Sequence, residues 1–220
     1  MTRGRLDQQL ELLNQELIEM GAMCETAIAN AVKALVDGDL ELADEAVAID
    51  QRIDEKEREI EALCLKLMLR QQPVARDLRQ VSSALKMITD MERIGDQARD
   101  IAEITRYIRL RENTNQGSLN DMARATIKMV TESIDAFVRQ DLELARAVIV
   151  HDDVVDGYFL TIRRELIGMI HSDPDQGEYA LDVLMIAKYF ERIGDHATNI
   201  AEWVEFSITG VHSSQGDSEK

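Results

Sequence analysis

Residues 91–103 read MERIGDQARDIAE, and residues 190–202 read FERIGDHATNIAE. Nine of the thirteen aligned positions are identical: Glu, Arg, Ile, Gly, Asp, Ala, Ile, Ala and Glu. The copies lie 99 residues apart, Glu92 against Glu191, close to half of the 220-residue chain. Self-similarity at such a spacing points to a tandem duplication of one structural unit. At about 100° per residue in a helix, Glu92, Asp96 and Asp100 drift by only about 40° each, and Glu103 returns to the face of Glu92. Glu191, Asp195, Asn199 and Glu202 repeat the stripe. Like charges at i, i+4 destabilise a helix by roughly a few tenths of a kcal/mol, so a doubled stack of them asks for a compensating cation.

Working outward from the stripes, the chain reads as helix throughout. Leu6, Leu10, Leu13, Leu17, Met20, Cys24, Ala27 and Ala31 follow one another at spacings of four and three, the seam of a helix in a bundle. Gly38 suits the left-handed residue that ends this first helix, and Asp39 suits the N-cap of the next. The second helix carries Leu42, Ala46, Ile49, Ile53, Ile60, Leu63 and Leu67, interrupted at Lys56, and Pro73 closes it. A third helix is expected from about Ala75 to Arg111. The polar run Asn113 to Gly117 then breaks the chain, with Ser118 as a candidate cap.

The plan is then repeated. A fourth helix over about 118–139 leads to Asp141-Leu-Glu-Leu-Ala145, an echo of Asp39-Leu-Glu-Leu-Ala43. A fifth helix runs to about His171, and the chain turns at Pro174 into a sixth with the second stripe. The only two prolines, Pro73 and Pro174, fall at the same turn of each unit. The expected fold is all-α: two tandem, similar three-helix bundles of long antiparallel helices sharing a long axis. Residues 1–113 form the first unit, 117–209 the second, and 210–220 an expected disordered tail.

Composition supports a helical, acidic protein and excludes several function classes. Aromatics are 4% and no stretch alternates as a strand does, while the net charge of −17 repels nucleic acid. No apolar run is long enough for a signal peptide core or a membrane span, so the expected location is cytoplasmic, at a membrane only through partners. Cys24 and Cys64 sit in apolar helical registers and read as reduced packing residues. No nucleotide loop, nucleophile elbow, zinc knuckle or Glu-x-x-His pair occurs, so a binding protein is expected rather than an enzyme.

The partner of each stripe follows from hairpin geometry. In an antiparallel pair, residues at one level have a constant sum of numbers. For a turn at Pro73, Asp50 with Asp96 and Asp54 with Glu92 both give 146. For the turn at Pro174, Asp152 with Asp195 and Asp156 with Glu191 both give 347. Four carboxylates should therefore meet at one level in each unit. A single acidic i, i+4 pair is a cheap feature of a chain with 42 acidic residues. Recurrence with a matching pair on the facing helix is what suggests a metal site. Oxygen-only ligands favour Mg, Ca, Mn or Fe over copper or a thiolate zinc site. His151 and His196 lie one position off the second stripe and read as polar surface residues. Gly95 and Gly194 suggest close approach or access for an ion, and Arg93 and Arg192 structural ion pairs.

The doubled ERIGD helices, the pairs Asp50/Asp54 and Asp152/Asp156, and the segment RQQPVARDLR at 70–79 together resemble the PhoU family over roughly residues 5–208. The resemblance implies two three-helix bundles and metal clusters on an acidic signature that falls on Asp50, Asp54, Glu92 and Asp96, then on Asp152, Asp156, Glu191 and Asp195. Asp100 and Asn199 extend the stripes as further candidate ligands. Iron or zinc is the metal that the resemblance suggests, with manganese or magnesium as alternatives. It further implies a homodimer that regulates phosphate uptake and represses the phosphate-starvation response. Its implied partners are the ATPase subunit of the phosphate ABC transporter and a phosphate-sensing histidine kinase, met at the inner face of the membrane. Other readings stay open: a stand-alone metal-binding protein, an accessory of a secondary phosphate transporter, or a helical interaction module whose stripes are solvent faces.

Overall fold

The structure, a computed structural model, describes residues 3–108 and 116–211. It contains α1 (Arg3–Asp37), α2 (Leu40–Gln71), α3 (Arg76–Thr105), α4 (Gln116–Arg139), α5 (Leu142–Ser172) and α6 (Gly177–Thr209), with a 3-10 turn at Pro174–Gln176 before α6. There is no strand among the described residues, and the all-α expectation holds. Asn113 to Asn115 of the expected polar break, Arg111 and most of the expected tail lie outside the described residues, while Gln116 and Gly117, expected in the break, belong to α4.

The turns are built as their residues dictate. Gly38 takes φ 69°, and Asp39 accepts hydrogen bonds from the N–H groups of Glu41 and Leu42 at the head of α2. In the second half Asp141 caps α5 through the N–H of Leu144, but the left-handed position before it is filled by Gln140 at φ 55°. Two expectations are corrected. Ser118 lies inside α4 rather than capping it, and its hydroxyl donates to Glu165 of α5 at 3.3 Å. Helix α3 stops at Thr105, six residues before the expected end, because the buried Thr105 hydroxyl donates to the carbonyl of Ala102. That carbonyl is the α-helical acceptor for the N–H of Arg106, which turns instead to Glu103. The tightened turn leaves Tyr107 in solvent and folds Ile108 onto the core.

Within the first half α1, α2 and α3 pack pairwise, as α4, α5 and α6 do in the second. The residues of the α1 seam from Leu13 to Ala31 are fully buried, joined by Ile28, Ala34 and Leu35. The wider stripe is needed because α1 also meets α4. Lys56, the break in the α2 seam, reaches Glu16 and Glu19 of α1, each at 2.9 Å, and its own neighbour Glu59 at 3.3 Å. Cys24 and Cys64 are free and buried, and burial pushes the Cys64 thiol up to about 12. Neither thiol is reactive at neutral pH.

The two bundles lie side by side, joined along α3–α6 and α1–α4 in one continuous apolar core. Helices α3 and α6 run antiparallel: Arg79 donates to the Ser207 carbonyl near the end of α6, and Asp90 meets His196 further back. Helices α1 and α4 do the same, with Glu25 accepting from Thr131 while a side chain at Gly21 would meet Ile134. An antiparallel pairing of repeats relates the halves by an approximate twofold axis across the α3–α6 seam. Its effect is local: Asp90 meets Asn199, and their counterparts Tyr189 and Asp100 are close enough for the Asp100 charge to act on the phenol.

Candidate functional site

The two stripes occupy the grooves α2/α3 and α5/α6. Because α3 and α6 are neighbours and the stripe residues Asp100 and Asn199 both reach their seam, the two grooves open on one face of the molecule. The helix register expected from the turns is seen at one position in each groove. An added Cβ on Gly95 would lie 3.0 Å from Asp50 Oδ1, and one on Gly194 would lie 3.3 Å from Asp152 Oδ1. The glycines are what allow the carboxylate of one helix to approach the backbone of the next.

In the first groove Asp50 is only 4% exposed. Its Oδ2 accepts from Arg99 Nη1 at 2.8 Å, and the same guanidinium lies 2.7 Å from Asp96 Oδ1 and 3.2 Å from Asp100 Oδ1. Asp50 Oδ1 has no partner. Arg93 pairs with Asp96 at 3.1 Å and Glu92 at 3.4 Å, as expected of a structural ion pair, while Asp54 meets Arg58 only at 3.9 Å. Burial raises the carboxyl pKa of Asp50, against the opposing guanidinium, and that of Glu92, where Asp96 adds to it. Burial alone would lower Arg99, but Asp50, Asp100 and Asp96 outweigh it and hold the guanidinium above its ordinary range.

In the second groove, among the described residues, no Lys or Arg makes an ion pair with Asp152, Asp156 or Asp195, although the charges of Lys188 and Arg192 act on Asp195. Asp152 is pushed up to about 6 by burial and by the charges of Asp195 and Asp156, with the neutral Thr198 hydroxyl opposing. Asp195 is raised by burial, with Lys188 working against it and Asp156 adding to it. Lys188 forms its ion pair with Glu191, at the other end of the stripe, and Arg192 lies over the Tyr189 ring at 6.0 Å. His196, expected as a polar surface residue, is partly exposed and reaches across the seam: its Nδ1 lies 2.9 Å from Asp90 Oδ1, and Asn199 donates to the same oxygen at 3.1 Å.

Among the described residues no three His, Cys, Asp or Glu side chains are arranged to hold a metal ion. The donor chemistry nevertheless fits a hard cation: oxygen ligands from two helices, a buried Asp50 oxygen with no partner, and glycine cradles that a side chain would fill.

The PhoU domain model matches residues 17–105 and again 119–204, one match in each half. The chain belongs to the PhoU family. It is 37% identical over 211 residues to a phosphate-specific transport system accessory protein PhoU homolog of Pseudomonas aeruginosa, covering 94% of this chain and 86% of that one. A protein of the same description from Clostridium acetobutylicum is 36% identical over 212 residues, covering 96% and 97%. The crystal structure of PhoU from Pseudomonas aeruginosa superposes with a TM-score of 0.88 at 35% identity, over 93% of this chain and 99% of that one. That of the phosphate transport system regulatory protein PhoU from Streptococcus pneumoniae gives 0.85 at 26%, over 94% and 98%.

Within this PhoU chain, three residues that matter to the grooves escaped the sequence reading: Arg99, Asp90 and Lys188. The signal for Arg99 was in the repeat itself, since it is one of the four unmatched positions and faces Thr198 in the second copy. Asp90 lies outside the repeated stretch, and only the antiparallel seam brings it to the other copy's histidine.

Proposed function

We propose that this chain is a non-enzymatic regulator of phosphate uptake that represses the phosphate-starvation response by docking on the ATPase subunit of a phosphate ABC transporter and on a sensor histidine kinase. The observation that carries the reading is the single face on which both acidic grooves open, in a chain whose relatives are named accessory and regulatory proteins of phosphate transport. Such a face suits binding: it has charge, extent and rigid helical support, and no nucleophile or nucleotide loop. No described helix is long and apolar enough to cross a membrane, which supports cytoplasmic, peripheral action through the partners. Homodimerisation is part of the same proposal.

Carboxylates hold the metal in this reading: Asp50, Asp54, Glu92 and Asp96 in the first groove, Asp152, Asp156, Glu191 and Asp195 in the second, with Asp100 and Asn199 at the seam. Iron, zinc, manganese or magnesium held there would supply positive charge to offset the carboxylates of α2 with α3 and of α5 with α6. Asp50 and Asp152 approach the backbone of the facing helix at Gly95 and Gly194.

The test is co-purification of transporter ATPase and kinase with the parent and with a variant carrying Glu92→Gln, Asp96→Asn, Glu191→Gln and Asp195→Asn, beside elemental analysis of both. Partner capture and metal content are expected in the parent and reduced in the folded variant. A parent that captures neither partner, with normal metal content, would reject the docking reading in favour of a stand-alone metal-binding protein.

A further inference from the structure

We propose that Arg99 makes the duplicated grooves unequal, so that a metal ion enters the second groove at Asp152, Asp156 and Asp195 while the same level of the first is held by the protein's own guanidinium. This deepens the metal reading above and rests on it. The repeat aligns Asp50, Asp54 and Asp96 with Asp152, Asp156 and Asp195, and it aligns Arg99 with Thr198. The acidic frame is duplicated; the cation is not.

Arg99 is placed as a counter-ion in the first groove. It lies between the helices, within 2.8 Å of Asp50 and 2.7 Å of Asp96, and spans to Asp100 at 3.2 Å. A cation arriving at that level must displace the guanidinium from three carboxylates or sit beside a like charge a few ångströms away. Asp50 is buried and its Oδ1 still lacks a partner, so this level is built to satisfy a donor or a cation on both oxygens and Arg99 meets only one of them.

The second groove has the same cradle without the occupant. Gly194 leaves Asp152 the approach that Gly95 leaves Asp50. Among the described residues no Lys or Arg makes an ion pair with Asp152, Asp156 or Asp195: Lys188 is committed to Glu191 and His196 to Asp90. Lys188 stands where the first copy has Thr89 and pairs only at the Glu191 end of its stripe, whereas Arg93 and Arg99 pair along the whole of the first. Asp152 lies against Gly194, the neighbour of Asp195, and Thr198 stands where the first copy has Arg99, so oxygen donors of the kind that suit a hard divalent ion come from both α5 and α6.

The experiment exchanges the two residues. The parent, Arg99→Thr and Thr198→Arg are stripped with chelator and titrated with Mn²⁺ by calorimetry, with circular dichroism to confirm folding. In the parent, one tight class of site is expected, with any second class weaker by about tenfold or more. Arg99→Thr brings the weaker class to within about threefold of the tight one, since it recreates the second copy's groove. Thr198→Arg removes the tight class and leaves the other unchanged; it also keeps the test in hand if Arg99→Thr does not fold. Two equal classes in the parent, or no change on Arg99→Thr with Mn²⁺ still bound, would overturn this inference and leave the metal reading standing. No Mn²⁺ bound by any of the three proteins would overturn both.

Discussion

Asp152 shows what an acidic stripe costs at the level of one residue. Its pKa is raised, chiefly by burial, from the ordinary carboxylate range to about 6, so the folded chain binds that proton more tightly than the unfolded chain does. Stability from this group is fully present below the unfolded value, near 4, and is lost as pH rises through about 6. In metal-free protein Asp152→Asn is therefore expected to melt at a higher temperature than the parent at pH 7 to 8, with the advantage gone by about pH 4. Thermal melts across that range check it, and a variant less stable than the parent at pH 8 would contradict the reading. Gly95 supplies a second case. A methyl there would lie 3.0 Å from Asp50 Oδ1 and 3.0 Å from Ile53 Cδ1, whereas at Gly194 the nearest atoms are at 3.3 and 3.4 Å. Overpacking costs about 1–3 kcal/mol and the gain in helix propensity returns about 1 kcal/mol. Gly95→Ala should lose about 1 kcal/mol in urea unfolding and Gly194→Ala close to none.

At the scale of the element, the chain relies on caps to turn long helices sharply. Asp39 accepts from two N–H groups at the start of α2, at 3.0 and 3.3 Å, directly after the left-handed Gly38. Asp39→Ala is expected to cost about 1 kcal/mol of unfolding free energy, read from the urea midpoint at unchanged slope. Asp141 makes one such bond, to Leu144, so Asp141→Ala should cost no more than Asp39→Ala. The early end of α3 belongs to the same scale. The sequence placed the end of the helix at about Arg111, but one buried threonine hydroxyl at position 105 competes with the backbone for the Ala102 carbonyl. Apolar periodicity reports which face is buried, and says nothing of where a side chain takes a backbone acceptor.

At the scale of the molecule, the halves are not independent beads. Buried residues of α1 and α3 face α4 and α6 in a core without a break. A fragment ending at Ile108 would expose those faces to water. Since the second half covers them with an equivalent surface, related by an approximate twofold axis, the fragment is expected to pair with a second copy of itself or to precipitate. Light scattering on the purified fragment decides this, and a stable folded monomer would show that the seam contributes little. The same seam puts both grooves on one face, the property on which a docking role depends.

What the sequence by itself determined was periodic: six helices, the internal repeat, the turn residues Gly38, Asp39, Asp141, Pro73 and Pro174, and the pairing of Asp50 with Asp96 and Asp152 with Asp195. Each of these follows from a helical repeat of 3.6 residues or from a hairpin whose centre is marked by a turn residue, and both are local rules. What only the tertiary structure decided was the antiparallel α3–α6 seam, and with it the meeting of Asp90 with His196 and Asn199, residues more than a hundred positions apart. It also decided that the cation within the first stripe is Arg99, lying across to Asp50 on the neighbouring helix. Contacts between units depend on which faces are left after each bundle has closed, and on the direction a long side chain takes, and no local spacing encodes either.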